Sequence, residues 1–204
     1  MRYIPERVEA SRNFANKIWN AARFIMMNLD SDKVLPVDVN ALALEDKWIL
    51  SQFNALAKEV TDNLDKFELG IAVQKLYDFI WDLFCDWFIE LAKIRLQKGG
   101  DEAKTAKAVL VYVMSETLKL LHPFMPFITE EIYCTLLPEE ESIMISDWPV
   151  YREERNFPDA EKAIEGFKEV VRGIRNTRTE MDVPNNRKTS LHIVAKDADT
   201  AAMY

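Results

Sequence analysis

Long stretches of helical periodicity alternate with short breaks marked by proline or glycine along this chain. Between residues 6 and 29, Ala15, Ile18, Ala22, Ile25 and Leu29 recur at spacings of three and four, the apolar stripe of an amphipathic helix. Pro5 with Glu6 and Glu9 behind it supplies the start signal. Residues 30–43, which include Pro36, read as a linker. A second helix is expected over 44–68, with Ile49, Phe53, Leu56, Val60, Leu64 and Phe67 as core positions. The third, over 69–98, carries Ile80, Trp81, Phe84, Trp87, Phe88 and Leu91 over more than a third of its surface. It should therefore sit centrally, with its aromatic cluster in the core, and it stops at Gly99-Gly100. A fourth helix over 101–121 presents Val109, Leu110, Val113, Met114, Thr117, Leu120 and Leu121. Pro123 and Pro126 then break the chain, and Pro126 can open a short helix to about 137.

The pattern changes at 138. Residues 138–157 are turn-rich, with an extended candidate at Ser142–Ser146, and a last helix follows over 158–181. Thr189–Val194 alternate as a strand does, with Leu191 and Ile193 on one face. Little chain remains to pair with that strand, so the sequence reads as cut inside a longer protein. The fold expected is mainly α: an antiparallel helical bundle over 1–137, then a linker, the last long helix and the start of a small α/β region over 138–204.

Composition supports long helices: 204 residues, 49% hydrophobic and 29% charged, with 5 Gly against 8 Pro, 8 Met and 11 Phe. Cys85 and Cys134 belong to no metal or redox spacing and read as free thiols of a reducing compartment. No run of about 18 apolar residues occurs and no signal peptide opens the chain. A soluble, cytoplasmic protein without a membrane partner is expected.

Catalytic patterns fail one after another. There is no G-x-x-x-x-G-K-[ST] loop, G-x-S-x-G elbow or H-E-x-x-H pair. A di-iron bundle needs Glu-x-x-His, but Lys119 precedes His122 and Thr189 precedes His192. Glu130-Glu131 and Glu139–Glu141 read as a solvated helix face and a loop, and His122 as a helix-end residue facing the dipole. No catalytic residue, metal ligand or cofactor site is expected.

Two surfaces invite a binding role. On the first helix, Arg12, Asn16, Asn20 and Arg23 lie opposite the core stripe, flanked by Asn13, Lys17 and Phe24. Phe24 falls about 140° from the core direction. Cations, side-chain amides and an exposed aromatic hold phosphates, pair with base edges and stack on unpaired bases. The same residues also suit a solvated face with Phe24 covered by a neighbour. On the last helix, Arg172, Arg175 and Arg178 fall at i, i+3 and i+6, ahead of Arg187 and Lys188. They could track a phosphate backbone or pair with Glu169 and Glu180.

Several runs together resemble a known family. Asp46–Asn54 (DKWILSQFN), Phe84–Lys93 (FCDWFIELAK) and Leu121–Tyr133 (LHPFMPFITEEIY) are similar to the C-terminal part of class I aminoacyl-tRNA synthetases. CDW-IE, NFANKIWNAARF and IRNTRTEMDVP resemble the valine–tRNA ligase branch in particular. The resemblance implies an anticodon-binding bundle followed by the start of a stem-contact region. Arg12, Asn16, Asn20, Arg23 and Phe24 would then meet the anticodon, and Arg172, Arg175 and Arg178 the tRNA stem. The implied partners are a tRNA with a valine anticodon and the catalytic domain of the same parent chain. ATP and magnesium would serve the parent enzyme, whose HIGH and KMSKS motifs are absent here. The prolines and Phe124, Met125 and Phe127 of LHPFMPF are assigned to packing. The alternative is an acidic helical protein–protein interaction module.

Net charge bears on that choice. With 26 basic and 34 acidic residues the chain carries −8, which alone argues against nucleic acid. Yet residues 1–29 hold five basic and two acidic side chains and residues 166–190 six and three, each +3, whereas 30–165 carry −13. The two candidate surfaces lie in the two positive segments.

Overall fold

The structure, a computed structural model, describes residues 5–29, 36–184, 186–192 and 194. Two compact units divide the chain, residues 1–156 and 157–204. The first contains α1 (Pro5–Asn28), α2 (Leu44–Asp65), α3 (Leu69–Asp78), α4 (Ile89–Lys98), α5 (Gly100–Leu121) and α6 (Pro126–Leu136); the second contains α7 (Pro158–Glu180). The connections from α2 to α3, α4 to α5 and α5 to α6 are a few residues each, which sets these neighbours antiparallel. Mainly α, an antiparallel helical bundle, is therefore the observed class.

The central element is α5, not the helix over 69–98. It packs against α1, α2, α3, α4 and α6, and thirteen of its 22 residues are buried. The 69–98 rod is continuous, but its middle, Phe79–Phe88, winds as a π-helix, with the Ile89 N–H donating to Phe84 O. The wider turn aims Phe79, Ile80, Phe84, Cys85 and Phe88 inward. It leaves Trp81 and Trp87, expected in the core, only half-buried. Trp81 stacks on Tyr77 with ring centroids 5.5 Å apart and 13° between planes. Lys17 Nζ lies 4.1 Å from the Trp81 centroid and 2.6 Å from Asp86 Oδ1, fastening α1 to the rod.

A buried ion pair locks the start of α2 to α4. Asp46 Oδ2 accepts from the Ala43 N–H at 3.0 Å, satisfying a helix-start donor, and from Arg95 Nη1 at 2.7 Å. Arg95 also reaches Glu45 Oε1 at 3.1 Å and the Glu102 carbonyl at 3.0 Å. Burial pushes the Asp46 carboxyl above its ordinary range, against the lowering pull of Arg95.

Helix ends account for most departures from the expected boundaries. α2 stops at Asp65, and the Phe67 and Glu68 N–H groups bond to Leu64 O at 2.9 Å and Asn63 O at 2.8 Å. This is a Schellman end whose left-handed residue, normally glycine, is Phe67 at φ 59°. Phe67 is consequently 88% exposed instead of a core position. α7 ends similarly, with Asp182 at φ 50° and the Val183 N–H on Arg178 O at 2.8 Å. In the α5–α6 turn, Pro126 is the first residue of α6. His122 Nδ1 lies 2.7 Å from Thr129 Oγ1, whose hydroxyl donates to Met125 O at 2.9 Å. Phe124 and Met125 are half-buried there, but Phe127, also expected to wedge into the bundle, is 91% exposed.

Residues 138–156 are bound to the bundle. Buried Asn54 grips Arg152 through both its N–H (2.8 Å) and its carbonyl (2.9 Å), and Trp148 Nε1 donates to Thr61 Oγ1 at 2.9 Å. Ser142–Ser146 is not extended: Ile143–Ile145 form a 3-10 turn whose start is capped by the Ser142 hydroxyl. In the second unit, Thr189–His192 and Val194 have no regular structure, and Ile193 lies outside the described residues. The expected strand is absent among the described residues, and with it the start of an α/β region.

Candidate nucleic-acid interface

α1 is held by one side and leaves the other to solvent. Phe14, Ile18, Ala21, Ala22 and Ile25 are buried, so Arg12, Asn13, Asn16, Asn20 and Arg23 are exposed by helical geometry. Arg12 Nη2 makes a solvent-exposed pair with Glu9 Oε1 at 3.3 Å, which is worth little in water. Asn16, Asn20 and Arg23 have no hydrogen-bond or ion-pair partner among the described residues. Two amides and a guanidinium on consecutive turns are thus presented without internal commitments. An amide offers donor and acceptor together, as a base edge requires, and the guanidinium offers a fork of donors.

Phe24 borders this row. It is half-buried, with Lys93 Nζ 5.4 Å from its ring centroid, so a neighbouring helix partly covers it. The opposite border is Trp19, 42% exposed and not among the site residues expected from the sequence. Its position was legible: about 100° per residue places it about 100° from Ile18, on the rim of the polar row.

The three arginines of α7 do different things. Arg172 Nη1 pairs with Glu165 Oε1 at 3.1 Å, both half-exposed. Lys168, and then Arg172, hold the Glu165 carboxyl below its ordinary range. Arg175 is exposed. Arg178 folds over the end of its own helix, donating to Pro184 O at 2.7 Å, Arg187 O at 2.9 Å and Thr189 Oγ1 at 3.0 Å. It thereby closes one side of an apolar groove of about 430 Å³ lined by Val170, Ile174, Met181 and Leu191 among others.

Among the described residues no three His, Cys, Asp or Glu side chains converge as a metal site would need. Burial pushes the Cys85 thiol up to about 12, so no thiolate forms there near neutrality. Among the described residues no helix is long and apolar enough to cross a membrane.

The sequence model for the anticodon-binding domain of tRNA ligases matches residues 46–194. The chain belongs to that family. A tRNA-ligase anticodon-binding domain accounts for the bundle, and relatives extend the match through α1. Over 199 residues, 97% of this chain, 52% of positions are identical to the valine–tRNA ligase of Clostridium perfringens. Over 204 residues, 49% are identical to that of Clostridium acetobutylicum. The chain spans 23% of the length of these relatives. Among solved structures, the LeuRS of Agrobacterium radiobacter K84, in ternary complex with tRNA and LeuAMS, superimposes with a TM-score of 0.54. That likeness covers 77% of this chain and 18% of the LeuRS at 18% identity, and it concerns the fold alone.

Proposed function

We propose that the chain is the tRNA-reading portion of a valine–tRNA ligase. It would bind a tRNA with a valine anticodon through the outer face of α1. The observation that carries this reading is the row Asn16, Asn20 and Arg23, exposed and without partners among the described residues. Unpaired anticodon bases expose edges that amides and a guanidinium can bond, while Arg12 and Arg23 neutralise the adjacent backbone. Phe24 supplies a ring for stacking. Arg172 and Arg175 serve the stem phosphates, and Arg178 shapes the segment beside them. Specificity for valine, the catalytic domain as intramolecular partner and a cytoplasmic location belong to the same proposal, which the 52% identity to a valine–tRNA ligase supports. ATP and magnesium act elsewhere in the longer enzyme, and this portion carries no catalysis of its own.

The acidic protein-interaction module is the competing reading, and salt separates the two. Phosphate binding releases counterions, so affinity for the tRNA must fall steeply and linearly in log–log form between about 50 and 200 mM salt. Titration of the purified chain with a valine-anticodon tRNA, followed by anisotropy, tests this. Absence of binding, or binding indifferent to salt, would overturn the proposal.

A further inference from the structure

The proposed RNA face is bounded by two aromatic side chains, and the second makes no hydrogen bond among the described residues. Trp19 projects between the buried stripe of α1 and the polar row, and 42% of it is open to solvent. It makes no ring-stacking or cation contact among the described residues. Trp81 and Phe24 differ: Trp81 stacks on Tyr77 near Lys17, and Phe24 has the Lys93 ammonium near its ring. Trp19 therefore offers the more accessible π surface of the helix. Arg23 follows one turn later, beside it on the same side.

We infer that Trp19 stacks on an unpaired base of the bound RNA and is a second positioning residue of the α1 face. This rests on the reading of that face as the anticodon-loop site. About 140° of helix surface and five residues of rise, about 7.5 Å, separate Trp19 from Phe24. A base held between two rings needs them face to face, one about 3.4 Å from each of its faces, and rings directed about 140° apart around the helix cannot both meet it. The two aromatics fit two splayed bases, with Asn16 and Asn20 between them to read edges and Arg23 placed for the adjacent phosphate. A protein partner would also favour a Trp–Arg pair. The uncommitted amides and the +3 charge of residues 1–29 in a chain of −8 favour RNA.

The test uses the whole chain and a 17-nucleotide hairpin with a valine anticodon in its loop, carrying 2-aminopurine at single loop positions. Wild type should quench one probe on binding, and Trp19→Leu should abolish that quenching while Phe24→Leu leaves it in place. Trp19→Ala should weaken binding about 5- to 150-fold, and Trp19→Phe should stay within about threefold of wild type. The salt slope should be unchanged in the Trp19 variants, because stacking releases no counterions, and reduced in Arg23→Ala. Circular dichroism of Trp19→Phe controls for folding. Equal binding by wild type and Trp19→Ala, with Arg23→Ala weakened, would overturn the role of Trp19 and leave the site reading standing. Failure of wild type to bind the hairpin would overturn both.

Discussion

Replacing Arg95 by methionine removes one member of the buried pair that joins α2 to α4. The Arg95 side chain is 7% exposed and that of Asp46 0%, so no water reaches the carboxylate left behind. Methionine fills most of the volume, which confines the perturbation to electrostatics and hydrogen bonds. Removal of one partner of a buried ion pair costs about 3–5 kcal/mol. For a chain of this size each kcal/mol moves the melting temperature by about 2–4 °C, so the expected fall is about 6–20 °C. The pH dependence carries the sharper test. Burial already raises the Asp46 pKa above its unfolded value despite Arg95. A carboxyl raised in the native state gives a native state that binds the extra proton, so its penalty applies above the folded pKa and fades as pH falls through it. Loss of the lowering influence of Arg95 moves that window upward. The deficit of Arg95→Met relative to wild type should be largest at pH 7–8 and shrink toward pH 5. Adding Asp46→Asn should flatten that dependence. Urea titrations followed at 222 nm across this range measure it. A deficit below about 1 kcal/mol, or one constant with pH, would refute the reasoning.

Three further outcomes are expected. Phe24→Ala should weaken tRNA binding by about 1–3 kcal/mol if the ring stacks on a base, with a melting shift of only a few degrees because the ring is half-buried; unchanged affinity in a filter-binding assay would exclude stacking. Arg178→Ala removes three hydrogen bonds that hold Pro184, Arg187 and Thr189. It should raise amide exchange over residues 183–191 without altering the melting of residues 1–156. Phe67→Asn should stabilise the fold by up to about 1 kcal/mol, since asparagine tolerates the left-handed turn that a bulky residue resists; a lowered melting temperature would contradict that conformation.

Periodicity made the helices legible because burial in this chain follows the i, i+3, i+4 rule closely: Ile18, Ala22 and Ile25 were expected inside and are inside. Helix ends were less legible. Phe67 and Asp182 occupy left-handed positions where glycine would announce the stop, so α2 ends three residues short of the expected boundary. Ten residues of π-helix shift the angular register of the rod, which is why Trp81 and Trp87 sit farther out than a 3.6-residue repeat places them. Long-range polar contacts leave no periodic trace, so the grip of Asn54 on Arg152 could not be foreseen. At the candidate site, the row Arg12, Asn16, Asn20 and Arg23 followed from the wheel alone. The self-capping role of Arg178 did not, because it depends on where the chain turns after α7.

The central claim is that the α1 face reads the anticodon, and one ratio tests it. Dissociation constants for a valine-anticodon tRNA and for the same tRNA with its three anticodon nucleotides replaced share every stem and backbone contact. At about 100 mM salt the first should bind at least about tenfold tighter, the scale of one lost base contact at about 1–3 kcal/mol. Equal affinities would show that the chain holds tRNA by its phosphates alone and would contradict the account.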